Sequence, residues 1–204
     1  MDTDFIGSYL TKGIYHVTSG IDHLLFASGV VLALTGFWQV FKIIGIFTIA
    51  HSITVIATAI IGQRLLRTSI VEPVVGGSII FVAVENLMQP AGAFGGRRIA
   101  IIFILGLFHG MAFGGTLLEN LAGVSGHAAA WAVAAFCIGV EAGHLCVVAP
   151  LSGILKIGRD AGGEKFRKAA LFYGSIFVAL GGCGYFYNAL ASPRGWPLLP
   201  MPGS

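Results

Sequence analysis

Charged side chains are scarce in this chain: only 10% of its 204 residues are Asp, Glu, Lys or Arg, whereas 56% are hydrophobic. A soluble domain carries roughly 25% charged residues, so the chain has too little polar surface to cover a water-soluble globule. The same scarcity excludes an intrinsically disordered chain and a nucleic-acid-binding protein that uses a basic patch. We therefore expect an integral membrane protein that contacts the lipid bilayer and binds no nucleic acid.

Cysteine and nucleotide-binding motifs are also lacking. The three cysteines, Cys137, Cys146 and Cys183, lie within apolar segments, which excludes a disulfide framework and predicts small buried side chains. The chain has no Gly-x4-Gly-Lys-Ser/Thr loop, and its few charges leave no room for a soluble ATPase domain. No cleavable signal peptide is recognisable at the start, so we expect either a leader ahead of residue 1 or a first span that directs insertion.

Long apolar segments are what the chain has instead. A membrane-spanning helix needs about 20 apolar residues, and six segments meet this requirement: 18–37, 40–62, 69–89, 98–118, 128–154 and 168–190. They predict an all-α fold, a polytopic transmembrane helix bundle of about six spans that forms a single domain over 1–191. Residues 2–15 predict at most a short interfacial helix, and the Pro-rich tail 192–204 predicts irregular structure.

The basic residues predict the orientation in the membrane. Six spans place both termini on one side, and that side collects four basic residues: Lys12, Arg64, Arg67 and Arg194. The opposite side collects eight: Lys42, Arg97, Arg98, Lys156, Arg159, Lys165, Arg167 and Lys168. Because cytoplasmic loops carry the excess of Lys and Arg, we expect both termini to lie outside.

Glycine is abundant, and one group of glycines has helical spacing. Gly106, Gly110 and Gly114 lie four residues apart in the fourth span. Small residues at this spacing form a stripe along which a neighbouring helix can approach closely. We expect this stripe to be a packing surface; a narrow pore lined by bare backbone is the alternative.

Ionisable residues occur within or at the edges of the apolar spans, where each charged side chain costs roughly 2.5–3.5 kcal/mol on insertion scales. The acids are Asp22, Glu72, Glu85 and Glu141, and the histidines are His16, His23, His51, His109 and His144. No Lys or Arg lies between Arg67 and Arg97 or between Arg98 and Lys156. We therefore expect protons or a bound metal cation to compensate the acids.

The predicted topology gives each of these residues a depth at 1.5 Å per residue. We expect His16, Asp22, His23 and Glu72 near the outer face and His51 and His109 near the middle. Glu141 and His144 should lie at mid-depth and inward of it, and Glu85 and Asn86 near the inner face. This order predicts a ladder of polar sites across the membrane. The predicted metal ligands are His16, Asp22, His23, His51, His109, Glu141 and His144, with Glu72, Glu85 and Asn86 as additional acid–base or pathway residues.

Local spacing constrains which residues can share an ion. His16 and His23 lie on one helical face but roughly 10 Å apart along the axis, so they cannot bind one ion unless the backbone unwinds between them. Asp22 and His23 are adjacent; either they flank an inward wedge, or Gly20 loosens the turn so that both converge.

A second pair lies in the fifth span. Glu141 and His144 are three residues apart, so both project from one helical face and could hold one ion. A Glu-x-x-His pair on a helix also resembles the ligand pattern of di-iron bundles. Around His51, three hydroxyl residues are suited to support a ligand by hydrogen bonding: Thr48, Ser52 and Thr54.

Five segments resemble the HupE/UreJ family of membrane proteins: His16-Val-Thr-Ser-Gly-Ile-Asp22-His23-Leu-Leu-Phe, Phe47-Thr-Ile-Ala-His51-Ser-Ile-Thr, Val84-Glu85-Asn86-Leu, Gly106-Leu-Phe-His109-Gly110-Met-Ala-Phe-Gly and Gly139-Val-Glu141. The resemblance covers about residues 13–150, and its His-x5-Asp-His and Phe-His-Gly elements are specific. It implies a small multi-pass permease for nickel in the bacterial inner (cytoplasmic) membrane, associated with hydrogenase or urease maturation. It also implies that His16, Asp22, His23 and His109 handle the metal.

The ligand types leave the identity of the ion open. Imidazole and carboxylate suit nickel, copper, zinc, cobalt and iron about equally, so nickel is favoured by the resemblance alone. A divalent ion that moves inward gains about 4.6 kcal/mol per 100 mV of membrane potential, so passive uptake is adequate. We expect the outer ligands to strip water from the ion, His51 and His109 to hold it midway, and Glu141 and His144 to pass it inward.

Two alternatives stay open. The same ligands could fix one or two metal ions in an intramembrane hydrolase or oxidoreductase, with Glu72 or Glu85 as the general base. A proton-linked channel or sensor would need no metal. The sequence also leaves homo-oligomerisation open.

Overall fold

The computed structural model describes residues 3–88, 95–124 and 126–191. Within these ranges the regular elements are six helices: α1 (Thr3–Ser19), α2 (Ile21–Ala33), α3 (Phe37–Ile61), α4 (Thr68–Met88), α5 (Gly96–Asn120) and α6 (Gly126–Ala191). Four of the described helices, α3 to α6, are long and apolar enough to cross a membrane, and α1 with α2 forms a fifth candidate. The predicted all-α, polytopic fold class is confirmed, whereas the predicted irregular tail 192–204 lies outside the described residues.

α1 and α2 are two halves of one span, bent by 67° at a short break. The Tyr9 hydroxyl of α1 donates to the Asn120 carbonyl at the end of α5. The Gly29 carbonyl of α2 accepts from Asn86, whose side-chain oxygen accepts in turn from Arg98 at the start of α5. A 25-residue helix such as α5 is about 37 Å long, so α1 and α2 together cross its full length. We call the end of the bundle with Asn120 the outer end and the end with Arg98 the inner end; which face of the membrane each meets stays a prediction.

This arrangement corrects two predictions about the start of the chain. The segment 18–37 is not one span, because α2 begins after Gly20 and ends at Ala33. Residues 2–15 are not an interfacial helix, because α1 packs inside the bundle against α6 through Gly13 and Gly139. Hydropathy did not identify α1 as part of a span, because its hydroxyl residues lower the mean hydropathy of the segment. These hydroxyls can be satisfied within the helix: the Thr11 hydroxyl, for example, donates to the Gly7 carbonyl.

α6 consists of two arms that meet at Gly163, whose φ of 58° and ψ of −146° are accessible mainly to glycine. The first arm ends beside the end of α2, where Arg159 donates to the Thr35 carbonyl at 3.2 Å. Along the second arm the contacts with α2 run backwards: Gly174 against Leu32, then Gly181 against Leu25. The chain therefore reverses at Gly163, and its two arms coincide with the predicted spans 128–154 and 168–190.

Glycines allow the closest approaches between helices. The predicted stripe of Gly106, Gly110 and Gly114 on α5 faces α3, where a Cβ at Gly110 would collide with the His51 carbonyl and the Thr54 hydroxyl. The prediction that a neighbour packs closely along this stripe is confirmed. A glycine also ends α3: Gly62 has a φ of 71°, the left-handed conformation that commonly ends a helix.

The largest hydrophobic core surrounds α2 and includes Phe26, Ile43 and Ile79. The outer faces of the helices are apolar as well, as a lipid environment requires. This explains a wrong prediction: Cys146 and Cys183 are exposed on outer faces rather than buried, and Cys137 is half-buried. An apolar segment does not identify which of its residues face inward when both sides are apolar.

Candidate metal centre

Five of the six histidines of the chain converge on one site inside the bundle. We call them the histidine cluster: His16 of α1, His23 of α2, His51 of α3, His109 of α5 and His144 of α6. The ring centroid of His23 lies 4.7 Å from that of His16, 5.5 Å from His51, 5.6 Å from His109 and 5.3 Å from His144. Four of the five rings belong to fully buried residues, with His51 at 0% exposure. Five separate helices thus contribute imidazoles to one small volume.

Three members of the cluster have the geometry of a metal site. One ring nitrogen each of His16, His23 and His51 lies within 4.8 Å of the others. At a metal–nitrogen distance of about 2.1 Å, neighbouring ligands on a tetrahedral ion are about 3.4 Å apart. The Nε2 atoms of His16 and His23 are already 3.0 Å apart, so the His51 ring is the one that would move inward to complete a site of three nitrogens.

The break between α1 and α2 brings His16 and His23 together. Gly20 separates the two half-helices in an extended conformation, which supplies the unwinding that the sequence required for these two residues to share an ion. His16 lies in the last turn of α1, and the partial negative charge of a helix carboxyl end favours a cation there. Discontinuous helices place ion sites at mid-membrane in this way in many transporters.

A chain of hydrogen bonds orients His23. Its Nδ1 lies 3.3 Å from Nε2 of His144, and Nδ1 of His144 lies 3.1 Å from the Thr48 hydroxyl. A neutral imidazole has one donor and one acceptor nitrogen. If Nε2 of His23 is to bind a cation, the ring proton of His23 must lie on Nδ1, which then donates to Nε2 of His144. Nδ1 of His144 donates in turn to the Thr48 hydroxyl. In this arrangement His144 orients His23, and its predicted role as an ion ligand stays a prediction.

His51 and His109 carry nitrogens without hydrogen bonds. Both ring nitrogens of His51 and Nε2 of His109 are buried and have no partner, whereas Nδ1 of His109 donates to the Leu105 carbonyl at 2.9 Å. The prediction that Thr48 and Thr54 hydrogen-bond the His51 ring is therefore wrong. Thr48 contacts His144, and Thr54 donates to backbone carbonyls. Native structures pair nearly all buried polar atoms, so these nitrogens are the members of the cluster that are available to bind a further group.

The acids lie around the cluster at different distances. The Asp22 carboxylate is 3.9 Å from Nε2 of His23 and interacts electrostatically with His16, so Gly20 does let Asp22 and His23 converge. Glu72 accepts a hydrogen bond from the Tyr185 hydroxyl near the outer end of α4. Glu141 has one buried carboxylate oxygen without a hydrogen-bond partner.

Glu85 contradicts the expectation that the protein supplies no cation to its membrane acids. Its carboxylate lies 2.8 Å from Arg97 and 3.8 Å from Arg98, and Arg98 is itself 5% exposed. Arg98 also donates to Asn86, which binds the Gly29 carbonyl of α2. Glu85 and Asn86 therefore belong to a network that joins three helices at the inner end. The sequence alone does not reveal this pairing, because Glu85 and its two arginine partners lie on different helices, α4 and α5.

The predicted ladder is also corrected, because the histidines form one cluster rather than successive steps. Two stacked phenylalanine pairs border it. Phe113 and Phe136, with ring centroids 4.5 Å apart, lie toward the outer end and contact His16. Phe26 and Phe47, 4.6 Å apart, lie toward the inner end and contact His109. The site is thus closed by aromatic rings on both sides.

Sequence reasoning missed the side chains that surround the ligands. The stacked phenylalanines, Tyr185 and Arg98 carry no signal of their own in an apolar chain rich in aromatic residues. Only the helical spacing of Phe47 and Phe113, each four residues from a cluster histidine, could have indicated that they share a face with His51 and His109.

The fold and the histidine cluster define a polytopic helical membrane protein whose buried imidazoles can hold a transition-metal cation. Residues 2–189 match the HupE / UreJ protein family. Because the match covers nearly the whole chain, the protein belongs to that family, which is associated with the transport of metals, nickel or cobalt. No curated protein and no solved structure matches the chain.

Proposed function

We propose that the protein is a permease that moves a divalent transition-metal ion into the cell, with the histidine cluster as its central binding site. Nickel is favoured by the family, and the bacterial inner membrane is the proposed location. The observation that carries the proposal is the set of free nitrogens on His51 and His109 beside the His16–His23 pair. A buried polar atom without a partner costs roughly 1–3 kcal/mol, and a bound cation would remove that cost.

Acids on the outer side support an inward direction. Asp22 and Glu72 interact electrostatically with each other, and Asp22 also interacts with His109. Two carboxylates beside the cluster raise the local concentration of a divalent cation and offer oxygen ligands while water leaves it. At the inner end the acid Glu85 is already paired with arginines, so an ion meets no unpaired acid there that would retain it.

The membrane potential supplies the driving force in this proposal. An inward divalent ion gains about 4.6 kcal/mol per 100 mV, which suffices without nucleotide hydrolysis. Transport by this route is electrogenic, so its rate depends on the potential. It also requires the stacked phenylalanine pairs to separate in turn, since both pairs close the site in this conformation.

Uptake into proteoliposomes tests the proposal. Radioactive nickel is added outside vesicles with an imposed inside-negative potassium diffusion potential. We expect uptake that rises with the potential and falls at least tenfold in His23→Ala and in His109→Ala. His127→Ala is the matched control, because His127 is the sixth histidine and is exposed, away from the cluster. Unchanged uptake in the double variant His23→Ala/His109→Ala would refute the pathway.

Further measurements distinguish this function from the two alternatives, an intramembrane metalloenzyme and a proton-linked channel or sensor. Exhaustive dialysis followed by metal analysis should leave almost no metal on a carrier, whereas a fixed-site metalloenzyme would retain a stoichiometric amount. Competition of cobalt, zinc, copper and iron against labelled nickel identifies the preferred ion. A proton-linked channel would show a flux that follows pH and ignores all five metals.

A further inference from the structure

A cavity of about 120 Å³ opens between the end of α2, the start of α3 and the first arm of α6. Its walls are apolar, with Val31, Leu34 and Val40 among them, whereas Lys156 and Arg159 stand at its edge. Engineered cavities of about 150 Å³ hold a small apolar molecule. The cavity therefore combines space for a hydrocarbon segment with two cations next to it.

If the histidine cluster lies at mid-membrane, the charged edge of the cavity lies at the level of lipid headgroups. Lys156 is twelve residues beyond His144 on the same helix, which corresponds to about 18 Å along the axis. The half-thickness of the hydrocarbon core is about 15 Å, so a histidine cluster at mid-membrane places Lys156 just outside the core. Trp38 is 69% exposed and makes edge contacts with Phe37 and Phe41. Such aromatic groups are typical of the membrane interface.

The polar groups at the cavity suit an anion. The Lys156 ammonium pairs with Asp160 at 2.6 Å. Among the described residues Arg159 forms no ion pair with a carboxylate and donates only to the Thr35 carbonyl. The hydroxyl of Ser152, which also lines the cavity, is buried without a hydrogen-bond partner. A guanidinium and an unpaired hydroxyl are both donors that a phosphate oxygen accepts.

We propose that this cavity binds an anionic phospholipid of the surrounding membrane. The phosphate of the lipid contacts Arg159 and Lys156, the Ser152 hydroxyl donates to its phosphate or ester oxygens, and one acyl chain enters between Leu34 and Val40. The cations favour an anionic over a zwitterionic headgroup, and the apolar walls favour a lipid over a free phosphate ion. The site joins α2, α3 and α6, so a bound lipid stabilises the inner ends of these helices against one another.

Two variants separate the charge from the space. Arg159→Gln removes the half-exposed cation that has no carboxylate partner among the described residues and keeps an amide that can donate to the Thr35 carbonyl; Lys168→Gln is its control, because Lys168 lies on the second arm and is 74% exposed. Gly153→Leu fills the cavity, which Gly153 lines with open space at its Cβ position. Gly45→Leu is its control, since a Cβ at Gly45 also meets nothing within 4 Å.

The test measures lipid binding by native mass spectrometry and thermal unfolding, with phosphatidylglycerol, phosphatidylcholine of the same chains, and inorganic phosphate as probes. We expect binding and stabilisation by phosphatidylglycerol alone, an affinity about fivefold lower in Arg159→Gln, and loss of binding in Gly153→Leu. Both controls should behave as the wild type. Equal binding of phosphatidylcholine, equal stabilisation by inorganic phosphate, or unchanged binding in Arg159→Gln and Gly153→Leu would each overturn the proposal.

Discussion

The Nε2 atoms of His16 and His23 lie 3.0 Å apart across the break at Gly20. In an unbroken helix their Cα atoms, seven residues apart, would be separated by about 10 Å along the axis. The bend of 67° therefore turns two distant residues of one span into neighbouring side chains. The site depends on a defect in the helix as much as on the imidazoles themselves.

Gly20→Ala should weaken metal binding by at least tenfold. A Cβ at this position would lie 2.6 Å from the His16 carbonyl and 3.0 Å from an Asp22 carboxylate oxygen, so the break must widen and His16 must move away from His23. Isothermal titration with nickel measures the change. Gly7→Ala on α1 is the control, because a Cβ there would meet nothing within 4 Å. Equal affinities of the two variants would show that the break does not position the ligands.

Thr48→Val should lower metal affinity by roughly 10–100-fold, the usual cost of removing the hydrogen-bond partner of a ligand. Valine keeps the shape but removes the hydroxyl that accepts from His144, so His144 keeps only its hydrogen bond with the Val140 backbone and orients His23 less well. Thr48→Ser should restore most of the affinity, since it restores the hydroxyl. A Thr48→Val protein with wild-type affinity, or a Thr48→Ser protein as weak as Thr48→Val, would contradict the orienting chain.

Gly110→Ala should destabilise the fold by about 1–3 kcal/mol, the typical cost of overpacking. The added methyl group would collide with the His51 carbonyl and the Thr54 hydroxyl, so α3 and α5 must separate. Thermal unfolding in detergent detects the loss as a lower Tm. Gly77→Ala is the comparison, because a Cβ there meets nothing within 4 Å, and the substitution should leave Tm unchanged or raise it slightly.

Arg98→Leu should destabilise the protein by about 1–3 kcal/mol, because the buried Asn86 side-chain oxygen loses its donor and Glu85 keeps only the exposed Arg97 as an ion-pair partner. Arg97→Leu should cost about 1 kcal/mol or less, because the Arg97 side chain is 63% exposed and solvent screens its pairing with Glu85. The double variant Glu85→Gln/Arg98→Leu should recover part of the loss. Unfolding free energies in detergent provide the measurement; equal effects of the two single arginine variants would be the contrary outcome.

The features that could be predicted from the sequence are those with a strong local signal. Segment length and hydropathy gave the helical membrane fold, and a four-residue repeat of glycine gave the packing stripe around Gly110. The histidines were conspicuous because polar residues are expensive in a membrane. In each case the physical cause lies within one helix or one span.

The features that could not be predicted depend on contacts between distant segments. The chain has 30 glycines, and nothing local marks Gly20 as the one that breaks a span, so the ladder was predicted in place of the cluster. The Glu85–Arg98 pair forms between two helices, α4 and α5. Cys146 and Cys183 could not be assigned to the outer face, because hydropathy does not distinguish lipid from protein interior.

The stacked rings of Phe113 with Phe136 and of Phe26 with Phe47 determine how ions could cross. One pair lies on each side of the histidine cluster. A hydrated ion such as sodium therefore meets apolar rings before it reaches an imidazole. A continuous stream of ions is excluded in this conformation, and under the proposed function one metal ion crosses each time the two ring pairs separate in turn. A permease of that kind would let the cell keep its proton and sodium gradients while it takes up a scarce metal.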